Sequence, residues 1–162
     1  MELASTLLAL IVSALALIRF YSRKDNTFLF VGLGFIGTGL LDGYHGLVTS
    51  SFLSEYLPSS LQTLVPWSWL ASRLFLSVLL WLSCVFWNRE QRPGARGTVP
   101  ELAIYLGVIG WTAACFLIFA TVPLPVAKAL PFVARPQEFV PALFFLLALR
   151  ILAQGTLADG FL

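Results

Sequence analysis

Charge is scarce in this chain. Only 11% of its 162 residues are Asp, Glu, Lys or Arg, where a soluble domain carries about 25%. Histidine occurs once, at His45, which excludes bis-histidine haem within one chain. The two cysteines, Cys84 and Cys115, lie far apart in apolar runs. They form no CxxC pair and read as two small buried hydrophobes, not as a disulfide or a metal motif. There is no GxSxG and no GxxxxGK[ST] loop, so hydrolase and phosphate-loop readings lack their chemistry. Gly32-x-Gly34-x-x-Gly37 has the form of GxGxxG, but it sits inside an apolar run with no strand before it. Arg89, Arg92 and Arg96 are too few and too isolated for a nucleic-acid surface; they suit topology or lipid headgroups.

What is abundant is apolar sequence, at 59% of the chain. Five runs approach the roughly twenty residues that cross a hydrocarbon core: about residues 3–19, 28–48, 66–86, 102–121 and 138–153. The expected fold is all-α, a polytopic transmembrane helical bundle of about five spans, forming one membrane-embedded domain over 1–162. In the first run the basic residues Arg19, Arg23 and Lys24 follow the apolar stretch. That polarity is wrong for a secretory signal, so a retained helix is expected. Asp25-Asn26-Thr27 suits the cap of the second helix. The third connection, from Asn88 to Pro100, is rich in Arg, Gly and Pro. The fourth, Val122 to Gln137, holds four prolines and is expected to be extended or partly helical.

The basic residues set an expected orientation. Arg19, Arg23 and Lys24 fall between the first two spans, Arg89, Arg92 and Arg96 between the third and fourth, and Arg150 ends the fifth. The positive-inside rule then places the N-terminus outside and the C-terminus in the cytoplasm. Trp67 and Trp69 open the third span, and Trp87 closes it, as interfacial aromatics do.

Within these spans, ionisable residues are costly and are functional candidates by default. Asp42 and His45, three residues apart, share one face of the second span. At 100° per residue, Thr38, Asp42, His45 and Thr49 fall within an arc of about 60°. Gly39, Gly43 and Gly46 form an adjoining arc suited to close helix packing. On the third span Trp69 and Arg73 share a stripe with Ser77. Antiparallel spans bring Arg73 to the depth of Asp42, so an Asp42–Arg73 ion pair is expected, with His45 one turn further out. Tyr44, Trp69 and Thr49 would complete an amphipathic ligand-binding or switch site. The site serves either a ligand, metal or proton, or a structural clamp. As a metal site, His45 and Asp42 supply two ligands, short of the three or four that zinc needs. Copper is softer, but prefers thiolate, and no cofactor is identified.

The segment around Leu41-Asp42-Gly-Tyr44-His45-Gly-Leu47 resembles the Leu-Asp-x-x-His-x-Leu signature of bacterial membrane-associated sensor (MASE) domains, most closely the third type. Trp69-Leu-Ala-Ser-Arg73-Leu is similar to that family's Trp-x-x-x-Arg segment. Arg135-Pro-Gln-Glu138-Phe-Val-Pro141-Ala is similar to its Arg-Pro-x-Glu-Phe-x-Pro-Ala stretch. The resemblance runs from Phe28 to about Leu152. It implies a sensory input module in the bacterial inner membrane, upstream of a cytoplasmic histidine kinase, PAS or diguanylate cyclase module. The family domain is usually longer, at about seven helices, so an excised sensor portion or a shorter relative is expected.

The expected function is therefore signal reception at an outer-leaflet polar site, relayed to a cytoplasmic output module, without catalysis by this portion. The lipid bilayer is the constant partner, a homodimer is open, and nucleic acid is not expected. A transporter or proton-relay subunit is the first alternative, and an intramembrane enzyme the last.

Overall fold

The structure, a computed structural model, describes residues 2–48, 58–91, 99–125 and 136–159. Five helices account for nearly all of them: α1 (Glu2–Arg23), α2 (Asn26–Val48), α3 (Leu61–Glu90), α4 (Glu101–Thr121) and α5 (Phe139–Asp159). A 3-10 turn, Pro136–Glu138, leads into α5. All five helices are long and apolar enough to cross a bilayer. In hydrocarbon every backbone amide and carbonyl needs an internal partner, and the helix provides one within each run. The protein is an all-helical transmembrane bundle.

The α1–α2 reversal takes two residues. The Lys24 amide donates to the Phe20 carbonyl at 2.6 Å, and the Thr27 amide donates to Asp25 Oδ1 at 3.0 Å. Lys24 itself adopts φ 54°, the left-handed region usually left to glycine. Its ammonium then reaches Glu101 at 3.0 Å.

The third helix is longer than the apolar run predicts. At 30 residues it extends about 45 Å at 1.5 Å per residue, beyond a core of about 30 Å. A helix does not stop where the hydrocarbon does. Ser60 precedes its first turn, and its hydroxyl pairs with Thr63 at 2.8 Å. Pro66 falls in the second turn. The fourth connection begins in non-helical chain, as its prolines predict, and residues 126–135 lie outside the described residues. Its start is pinned to α3 and the chain just before it: Trp67 Nε1 donates to the Pro125 carbonyl at 2.8 Å, and the Leu124 amide donates to Ser59 Oγ at 2.9 Å.

Helices α1, α2, α3 and α5 follow one another as packed neighbours, with α4 resting against α2 and α3. Helix α2 is at the centre because its glycines let two neighbours approach at once. Gly32 lies under Leu17 of α1, where a Cβ would come within 2.8 Å of the leucine. Gly39 faces Leu10 and Ala9, and Gly43 faces Thr6. On the other side, Gly34 meets Leu79 and Gly37 receives the Phe75 ring. Phe20, Leu29, Phe30, Leu33, Leu41, Phe75, Leu79 and Val108 form the core. Trp81 meets Phe144 edge-on across α3 and α5. Leu7, Leu15, Leu102, Leu117 and Leu146 stay exposed, each above half its free surface, and such a belt suits lipid contact.

Candidate functional site

The polar groups collect in the seam between α2 and α3, toward the end where α3 begins. The Ser72 hydroxyl donates to Asp42 Oδ1 at 2.5 Å. One turn on, His45 Nδ1 pairs with Ser68 Oγ at 2.7 Å. The spacing follows from antiparallel helices. Three residues forward on α2 and four back on α3 are each about one turn. His45, Ser68 and Ser72 are buried, at 7%, 1% and 1% exposure, and Asp42 is half-buried. Ser68 also lies 3.2 Å from the Val65 carbonyl. Its one proton can go to that carbonyl, with the imidazole Nδ1–H donating to Ser68, or to Nδ1 itself. The hydroxyl is thus a two-position proton donor beside the imidazole.

The expected Asp42–Arg73 ion pair is not made. Arg73 is exposed, and its guanidinium lies over the Trp69 ring at 4.3 Å from the centroid. The cause is helix rotation. Ser68, Ser72, Phe75 and Leu79 recur at steps of four, three and four, which is the stripe facing α2. Phe75 on Gly37 and Leu79 on Gly34 hold that stripe in place. Arg73 follows Ser72 directly and points about 100° away, toward the α5 side, where it shares a cavity with Glu138.

The remaining candidates divide. Thr38 is buried in α2 and donates to the Gly34 carbonyl at 2.7 Å, so its hydroxyl is spent within its own helix. Tyr44 stacks on Phe116 at 4.7 Å and on Phe119 at 6.0 Å, beside α4. Its hydroxyl is buried and has no hydrogen-bond partner among the described residues. Gly39 and Gly43 face α1, away from the polar seam, and Gly46 is half-buried near the end of α2. Thr49 lies outside the described residues. Among the described residues no three His, Cys, Asp or Glu side chains come together as a metal site. Cys84 is buried, Cys115 half-buried, and both are free thiols.

Ser68 and Ser72 escape the sequence reading, which follows charge and takes the Trp69–Arg73 stripe instead. The available signal is the heptad-like spacing Ser68, Ser72, Phe75, Leu79. A second polar cluster, at the α1–α2 turn, escapes it too. There Lys24 pairs with Glu101, Tyr21 OH with Tyr105 OH at 2.7 Å, and Asn26 Nδ2 donates to Glu90 at 2.6 Å. These contacts tie the turn to α3 and α4.

A five-helix bundle with an aspartate and a histidine bonded to serines in one seam is a polytopic membrane protein. The family model described as a membrane-associated sensor domain, MASE3, matches residues 1–155, and the chain belongs to that family. No curated protein and no solved structure matches it.

Proposed function

We propose that this domain is the input module of a bacterial signalling receptor in the inner membrane, and that the Asp42–Ser72 and His45–Ser68 seam is where the signal acts. The N-terminus lies outside and the C-terminus in the cytoplasm, supported by the basic residues of the first and third connections. The seam is then in the outer half of the bilayer. The carrying observation is that two ionisable side chains within a membrane bundle are each held by a serine hydroxyl. A proton or small polar ligand that changes either bond biases the packing of α3 against α2. It does so only as far as it favours one packing over the other. Helix α3 packs on α5, which carries the change to a cytoplasmic histidine kinase, PAS or diguanylate cyclase module. A metal such as copper would need ligands beyond Asp42 and His45.

The transporter alternative requires a polar path through the other half of the seam. There Phe75 nests on Gly37, Leu79 on Gly34, and Phe30 stacks on Phe86 at 4.7 Å. That packing favours a sensor. The test is a chimera with a cytoplasmic kinase, assayed for output across external pH and with added copper or zinc. His45→Gln is expected to fold and to lose the response. If it folds and responds like the parent under every condition, the seam is structural.

A further inference from the structure

We propose that the cavity between α3 and α5 is a binding site for a zwitterionic headgroup, with an oxyanion on Arg73 and an ammonium on the Glu138 side. The cavity has a volume of about 210 Å³, room for several water molecules. Trp69, Leu70 and Arg73 form one wall, and Glu138, Pro141, Ala142 and Phe145 form the other. It joins two sequence segments, Trp69–Arg73 and Glu138–Pro141, that the α2–α3 seam does not use. The proposal stands independently of that seam.

Three observations carry it. Arg73 forms no ion pair among the described residues; its contact is the Trp69 ring face at 4.3 Å. It lies six residues from Trp67, about 9 Å along the helix, and Trp67 is fixed to the Pro125 carbonyl. A guanidinium at this depth extends along apolar surface toward polar groups at the interface. Its planar fork takes a phosphate through two parallel hydrogen bonds while the opposite face stays on the indole. The second observation is Glu138 across the cavity. A lone oxyanion has no use for a carboxylate wall, whereas a ligand that also carries an ammonium does. A carboxylate has about four acceptor sites, enough to add such a donor. The third is access. Of the lining residues, Arg73, Ala142 and Phe145 are exposed, so the cavity opens to the outer surface of the bundle, where lipid lies. A phosphoethanolamine-bearing bilayer lipid and a free phosphoethanolamine share this chemistry.

The purified, delipidated full chain in mild detergent separates these sources. The probes are short-chain phosphatidylethanolamine, phosphatidylcholine and phosphatidylglycerol, free O-phosphoethanolamine, and inorganic phosphate, read by native mass spectrometry and melting temperature. Phosphatidylethanolamine is expected to bind best. Arg73→Gln should weaken it about tenfold, as loss of a charge-assisted pair does. Glu138→Gln should bring the ethanolamine and glycerol lipids to equal affinity. Ala142→Leu fills the cavity from its far wall without touching a charge, and should abolish binding while the melting curve shows a folded protein. Free O-phosphoethanolamine matching the lipid supports the site and assigns it a soluble ligand. Equal binding of phosphatidylethanolamine and inorganic phosphate overturns the zwitterion. Parent-like binding by folded Arg73→Gln and Ala142→Leu overturns the site.

Discussion

Replacing Gly37 by alanine adds one methyl group at the point that sets the rotation of α3. An added Cβ would run into the far edge of the Phe75 ring, which is 1% exposed and would have to shift. Overpacking of this kind costs about 1–3 kcal/mol. Alanine is intrinsically the better helix former by about 1 kcal/mol, so the steric cost is read against a favourable background. Two controls calibrate that background. At Gly43 the nearest atom to an added Cβ is Thr6 Cγ2 at 3.8 Å, and at Gly110 nothing lies within 4 Å. Alanine at either should be neutral or stabilising. Melting followed by circular dichroism in one detergent gives the comparison. Gly37→Ala should lower the midpoint by several degrees, at about 2–4 °C per kcal/mol for a chain of this size. Adding Phe75→Leu should recover part of the loss. A Gly37→Ala midpoint matching the Gly43→Ala midpoint would refute the argument that Phe75 on Gly37 positions α3.

Two further outcomes follow from the same geometry. In a double-mutant cycle, Asp42→Asn and Ser72→Ala should be coupled, since Ser72→Ala leaves the half-buried carboxylate short of a donor, at a cost of up to about 1–3 kcal/mol. Asp42→Asn and Arg73→Gln should instead add within about 0.5 kcal/mol; strong coupling there would mean that the two side chains meet. For orientation, a reporter active only in the periplasm should be silent when inserted at Arg92 and active near Ser59. The reverse pattern would place the seam toward the cytoplasm.

The helices are legible in the sequence because lipid leaves an apolar run no other way to satisfy its backbone. The close packing of one face of α2 is legible from Gly39 and Gly43, which meet α1, whereas the second face, opened toward α3 by Gly34 and Gly37, is not. Helix rotation is not legible from charge. Asp42 and Arg73 are opposite in sign and matched in depth, yet Phe75 fitting against Gly37 turns Arg73 out of the seam and Ser72 into it. Shape decides here because the Arg73 guanidinium has an alternative in the Trp69 ring, while the Phe75 ring fits where α2 carries no side chain. The serines are inconspicuous because serine is common in helix–helix contacts of membrane proteins. Ser77 and Ser83 show the same residue type spent on the carbonyls of Leu74 and Leu80 in its own helix. Nor does a lysine announce a left-handed turn. Lys24 takes that conformation where its amide closes α1 and its side chain reaches Glu101.

The serines also give the most direct test of the seam as the place where the signal acts. In a chimera with a cytoplasmic kinase, output is measured as the external condition that switches the parent is varied. The variants are Ser68→Ala, Ser72→Ala, Ser77→Ala and Ser83→Ala, each checked for folding. All four serines are buried on one helix, but only Ser68 and Ser72 bond His45 and Asp42. The account predicts that Ser68→Ala and Ser72→Ala shift or abolish the response, while Ser77→Ala and Ser83→Ala respond like the parent. Four parent-like responses, or four equal losses, would contradict it.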